Sequence, residues 1–144
     1  MGTEVMGRVV TTATIENLSD LYLANAGAAT DEDIRRVTVD DALVDTGATL
    51  LSLPTRLIKQ LGLKKVVRKP VISGSGATDA WLHEAVRLTV LDRFCTVDVL
   101  EVPDDVPPLI GQIPLELLDF VVDPRGQRLI GNPRHNGEHV FEQF

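Results

Sequence analysis

The sequence predicts an all-β fold with one or two short helices, and three observations carry that prediction. Short β-branched runs recur along the chain, beginning with Val9 to Ile15 (VVTTATI) and continuing with the alternating Val86, Leu88 and Val90. Glycine, proline and aspartate punctuate these runs at close intervals. Only two segments place apolar residues at helical spacing, and both are short. At 144 residues the chain is near the ~150 typical of one domain, and 44% hydrophobic with 24% charged residues is ordinary globular composition. The ordered domain is expected over residues 9–131, after an extension at 1–8 and before a tail at 132–144.

Val9 to Ile15 reads as the first strand. Glu16 to Asp33 reads as a surface excursion with at most one helical turn around Leu18 to Leu23. Val37 to Val44 resumes the alternation and runs into Asp45-Thr46-Gly47. Leu50 to Leu53 follows, then a two-turn helix begun by Pro54, with Leu57, Ile58 and Leu61 on one stripe and Gly62 as its left-handed stop. The cluster Lys64-Lys65 with Arg68-Lys69 reads as a solvated turn. Pro70 to Thr78 climbs into a Gly74-Ser75-Gly76 tip, and Trp81 to Leu91 descends from it, as in a hairpin. A turn at Asp92-Arg93 leads to the alternating Val97 and Val99. Beyond the acidic loop Pro103 to Pro108 come Leu109-Ile110-Gly111, a helix at Leu115 to Leu118, and strands at Phe120 to Val122 and Gln127 to Ile130. Apolar strand, glycine and Pro-started helix thus occur twice, and each glycine marks a tight crossing that a Cβ would obstruct.

Composition excludes several function classes. A net charge of −7, from 21 acidic and 14 basic residues, disfavours nucleic acid, whose phosphates select basic surfaces. No apolar run approaches the ~18 residues that span a bilayer, and no basic-then-apolar leader opens the sequence, so neither a membrane partner nor secretion is expected. Met1 to Val5 read as dispensable, with Met6 a natural start. The single cysteine, Cys95, allows no internal disulfide and suits a reducing, cytoplasmic setting; its neighbours make it a buried, inert thiol. His135 and His139 stand four apart beside Glu138, but Gly137 breaks the helix that would align them and no third ligand is evident, so no metal or other cofactor is expected. His83 reads as a half-exposed strand residue, and Asn17-Leu18-Ser19 as a formal glycosylation acceptor that nothing routes to a secretory pathway. Gly74-Ser75-Gly76 lacks the third glycine and the following helix of a nucleotide-binding loop.

The informative segment is Ala42-Leu43-Val44-Asp45-Thr46-Gly47-Ala48. A carboxylate directly after a buried apolar strand costs several kcal/mol unless it is paired or neutralised. Taken alone, Asp-Thr-Gly also suits an ordinary turn. Its place between two apolar runs, with Leu109-Ile110-Gly111 about 65 residues later, argues for more.

Here the chain resembles the retropepsin-like (retroviral-type) aspartic proteases and their bacterial single-domain relatives, roughly from Val9 to Ile130. Asp45-Thr46-Gly47-Ala48 matches the active-site loop, Ile72 to Thr78 falls at the flap hairpin, and Leu109-Ile110-Gly111 with Pro114 to Leu118 matches the turn and helix beneath the loop. The resemblance implies a closed β-barrel lobe paired in a twofold homodimer, because one Asp-Thr-Gly supplies one carboxylate and the chemistry needs two. It implies Asp45, Thr46 and Gly47 as catalytic residues. One Asp45 acts as general base on a water while the protonated other polarises the scissile carbonyl. Thr46 braces the loop across the axis, and Gly47 bonds substrate backbone. It also implies Ala48, Ile72, Ser73, Gly74, Ser75, Gly76 and Ile110 as substrate-binding residues. Leu43 and Val106 are further pocket candidates by position, and the glycines at the tip allow a lid.

Two positions depart from the viral pattern, since Thr49 and Gln112 stand where the viral enzymes carry a salt-bridged Asp and Arg. Little chain precedes Val9, so Val140, Phe141 and Phe144 of the tail are expected to supply intersubunit strand pairing. The expected function is an aspartic endopeptidase with peptide or protein substrates. The alternative is a catalytically silent, dimeric peptide-binding or scaffold domain on the same fold, and a third reading is a monomeric barrel with an incidental Asp-Thr-Gly.

Overall fold

A computed structural model describes residues 8–74 and 76–143, so Ser75 of the expected tip and Phe144 of the tail lie outside the described residues. Nine strands and three short α-helices are present among them: β1 Val9–Asn17, α1 Leu18–Asn25, β2 Arg36–Val44, β3 Leu51–Pro54, α2 Thr55–Leu61, β4 Lys65–Ser73, β5 Gly76–Val90, β6 Arg93–Val102, β7 Leu109–Ile110, α3 Gln112–Leu118, β8 Phe120–Asp123 and β9 Arg128–Gly131. Seven strands form one mixed sheet in the order β1-β2-β7-β3-β6-β5-β4. Pairing of β1 with β5 closes six of them into a ring and leaves β4 as an outer edge. Strands β8 and β9 form a separate two-stranded sheet.

Period-two alternation fills the ring. On β6, Cys95, Val97 and Val99 are buried while Phe94, Thr96 and Asp98 face out; on β5, Val86, Leu88 and Val90 are buried. These pack with Ile15, Val44, Leu51, Leu53 and Ile110 in one core. The α2 stripe Leu57, Ile58 and Leu61 covers one part of it, and Leu115 and Leu118 of α3 cover another. Each such side chain contributes roughly 1.5–3 kcal/mol by leaving water. Gly62 ends α2 at φ 65, as its position suggested.

Several expectations change. The excursion after β1 holds a full eight-residue helix. Its sequence shows no stripe because Leu21 alone is buried while Tyr22 and Leu23 are exposed. Asn17 caps its start by accepting the Asp20 N–H at 3.0 Å, and Arg35 clasps Asp20 at 2.8 Å. From Lys65 on, the basic cluster lies in strand β4 rather than a turn. As an edge strand it pairs with β5 alone and keeps its cations in water, with Lys65 and Arg68 over the Trp81 ring. The β5–β6 turn lies at Leu91-Asp92, with Leu91 at φ 55, one residue earlier than expected. Helix α3 begins at Gln112 rather than Leu115. His83, expected half-exposed, is 2% exposed because it faces Thr55 and Glu101 beneath α2. Residues 132–143 contain a single 3-10 turn at Pro133–His135 and no strand; they fold back on their own chain.

Candidate active site

The chain leaves β2 at Val44, makes a loop over 45–50, and returns as β3 with a gap beside it. Strand β7 fills that gap, parallel to β2 (Val44 beside Ile110) and antiparallel to β3 (Leu51 beside Ile110). Two residues of β7 therefore tie together the two strands that carry the loop. The Asp45 N–H donates to the Ile110 carbonyl at 2.9 Å, which extends the ladder by one rung into the loop.

The loop is held by backbone bonds. Ala48 N–H donates to the Asp45 carbonyl at 3.0 Å, and the Asp45 Oδ1 accepts the Gly47 N–H at 3.0 Å. The loop's own carbonyls then meet the start of α3. Leu50 accepts from Gly111 at 2.9 Å, Ala48 from Gln112 at 2.8 Å and Thr49 from Ile113 at 3.0 Å. Helix-opening N–H groups have no partner within the helix, so the loop satisfies donors that would otherwise be orphaned. Gly111 permits this closeness, since a Cβ there would sit 2.5 Å from the Leu50 oxygen and 2.7 Å from the Ala48 oxygen.

Asp45 is half-buried, with Thr46 and Gly47 exposed beside it. A carboxylate fixed in direction by one N–H and set at the surface end of a rigid ladder is poised to act on a group from outside the chain. Residues 31–113, more than half of the chain and spanning this whole arrangement, match the family model described as aspartyl protease. The chain belongs to the retropepsin-like aspartyl protease family. No curated protein matches it.

In this member of the family, Asp45, Thr46, Gly47, Ala48 and the Ile110 backbone come together in the loop and its support. The Ile110 side chain is fully buried in the core, so in the single chain it supports the loop from below and presents no surface. Leu43 and Val106 are half-buried. Ile72, Ser73, Gly74 and Gly76 lie on a different element, the end of the β4–β5 hairpin, where Ser73 pairs with Gly76 and Ile72 is 86% exposed. At the two departures from the viral pattern, the Gln112 side chain donates to Glu116 at 3.1 Å, and the link from this helix to Thr49 is the backbone bond from Ile113.

Two polar clusters lay outside the sequence reading. Under α2, a cleft of about 360 Å³ is lined by Thr55, Lys59, Lys65, His83 and Glu101 among others. Thr55 donates to Glu101 at 2.6 Å, and His83 Nε2 lies 2.8 Å from the other Glu101 oxygen. Burial pushes the Glu101 carboxyl up, but the Thr55 and His83 hydrogen bonds and the nearby Lys65 charge outweigh it and hold the group below its ordinary value. The histidine is second to the carboxylate here rather than between a hydroxyl and an acid, so the cluster lacks the order of a nucleophilic triad. The second cluster joins Asp119, Asn132, His135 and Glu142, and His139 turns its ring to the Leu117 carbonyl at 2.9 Å. Among the described residues no group of three metal-ligating side chains is assembled, and no helix is long and apolar enough to cross a membrane.

Proposed function

We propose that the protein is an aspartic endopeptidase that hydrolyses peptide bonds as a homodimer, with a water activated by two Asp45 carboxylates, one from each subunit. The observation that carries this reading is the Asp45 loop: a carboxylate oriented by the Gly47 N–H, on a ladder closed by Ile110, within a chain of the aspartyl protease family. One chain supplies one such loop, and the chemistry calls for a base and an acid around a single water. Two equivalent carboxylates at a twofold axis share one proton and so supply both.

The contact between subunits is assigned to the β8–β9 hairpin. A two-stranded sheet is marginal on its own and presents unpaired edges, and in this one β8 is separated by Asp119 alone from α3, the helix whose first N–H groups bond the Asp45 loop. Pairing of hairpins about a twofold axis would thereby set the separation of the two Asp45 loops. The exposed β4–β5 hairpin would close over an extended peptide, with Ile72, Ser73, Gly74 and Gly76 at its end and Ala48 and Gly47 on the floor.

The test is cleavage of a mixed peptide library from about pH 3 to about pH 8. The parent chain is run beside Asp45→Asn, and both are sized by light scattering. Fragments from the parent alone, with both proteins dimeric, are expected. Cleavage that survives Asp45→Asn ends the protease reading. A dimer that cleaves nothing in either form points to the silent peptide-binding alternative.

A further inference from the structure

The C-terminal segment meets the body of the protein at several points, and one imidazole, that of His135, bridges a carboxylate of each. Asp119 ends α3 in the left-handed region at φ 58, and its carboxylate is buried. One oxygen accepts the Asn132 side-chain amide at 3.0 Å; the other accepts the Val140 N–H at 3.1 Å and lies 2.6 Å from His135 Nδ1. The opposite ring nitrogen of His135, Nε2, lies 2.7 Å from a Glu142 oxygen. The His135 side chain is only 13% exposed. Around this core the turn at Gly137 sits directly against Gly131, where a Cβ would collide with the Gly137 backbone, and Arg93 of β6 donates to the carbonyls of Leu118, Asp119 and Gly137.

The chemistry of the imidazole makes this arrangement conditional. An ionised carboxylate only accepts, and a neutral imidazole carries one N–H. Two carboxylates can both be bonded by His135 only when the ring is the doubly protonated cation.

We propose that His135 is a proton-operated latch that holds the segment 136–142 against the end of α3 and the base of the β8–β9 hairpin, and that loss of its proton releases this segment from Glu142 inward. The charged and titratable groups around the ring come from every element packed there. They are Asp119 after α3, Arg93 on β6, and Arg134, Glu138, His139 and Glu142 in the tail itself. The Glu142 hydrogen bond first, and the Asp119 bond next, raise the His135 titration above its ordinary value. A group raised on folding stabilises fully below its unfolded value and is lost as the pH climbs through the folded one, so the latch opens on the alkaline side. Its acid limit is set by the two carboxylates, both held below their ordinary values. The latch concerns the tail and the hairpin base and stands whether or not the protein cleaves peptides.

The experiment is hydrogen exchange on the full chain, read at the amides of residues 137–141 between about pH 5 and about pH 9 and corrected for the intrinsic rate, with the His135 ring followed by NMR. The Val140 amide is expected to lose protection by roughly tenfold for each unit by which the His135 titration is raised, at the midpoint the ring reports. Glu142→Gln removes the surface charge that favours the imidazolium and keeps only a neutral acceptor, without disturbing the core, and it is expected to lower that midpoint and shrink the step. Protection that is independent of pH in the parent, or a midpoint unchanged in Glu142→Gln, overturns the proposal.

Discussion

Gly111 lies so close to Ala48 that its missing side chain is a structural requirement: a Cβ would stand 2.7 Å from the Ala48 oxygen and 2.8 Å from its carbonyl carbon. Between the same segments the Gln112 N–H donates to Ala48 and the Gly111 N–H to Leu50. The Asp45 loop and the start of α3 are thus one backbone unit, joined by hydrogen bonds that only contact at this range permits.

Two glycine substitutions should therefore separate stability from activity. Gly111→Ala pushes a methyl into backbone that cannot rotate away, and a loss of about 1–3 kcal/mol or more is expected. Gly47→Ala meets only the Asp45 carboxylate oxygen, at 3.2 Å, so the fold should hold while that carboxylate is turned aside. Urea midpoints together with peptide cleavage by each variant check the contrast. Equal destabilisation by both would contradict it.

Asn17 joins three elements. Its side chain accepts from Asp20 N–H at the start of α1 and donates to the Leu61 carbonyl at the end of α2 at 2.8 Å, and it is 1% exposed. Asn17→Ala removes a helix cap and leaves a buried carbonyl unpaired, for an expected loss of roughly 2–4 kcal/mol. Chemical denaturation measures it; a change below about 0.5 kcal/mol would contradict the burial argument. The same burial keeps this asparagine from serving as a glycan acceptor in the folded chain.

Acid should weaken the protein partly through Asp119. Burial pushes its carboxyl up, but the bonds from Asn132, His135 and the Val140 N–H outweigh that and hold it at about 2, against an ordinary 3.8. A group lowered on folding stabilises above its unfolded value and loses that contribution as the pH falls toward the folded one. A decline of about 2 kcal/mol between about pH 4 and about pH 2 is expected from this group. Unfolding free energies across that range, compared with Asp119→Asn, should differ in slope by one proton.

Some of this was legible along the chain. The alternation of Val86, Leu88 and Val90, the apolar approach to Asp45, and the glycine at the second crossing each follow from local periodicity, and each stands where expected. Helix α1 was not legible, because its one buried residue, Leu21, makes no stripe and its stability comes from Asn17 and from Arg35, fifteen residues after Asp20. The first half of strand β4, Lys65 to Lys69, was hidden by its own cations, which an edge strand carries without cost because its outer side meets water, while the half from Pro70 reads as the rising arm of a hairpin.

By itself, then, the sequence determined most of the strands, their apolar faces, and the one Asp-Thr-Gly loop that carries Asp45, since these depend on neighbours within a few residues. The tertiary structure decided the rest. His83 was buried by elements that pack on it from positions 55 and 101, and the tail was bound to its own chain by Asp119, sixteen residues before His135. Such contacts join groups far apart in the chain, and no local pattern encodes them, because their free energy arises only once the ring has closed and brought the partners within hydrogen-bonding distance.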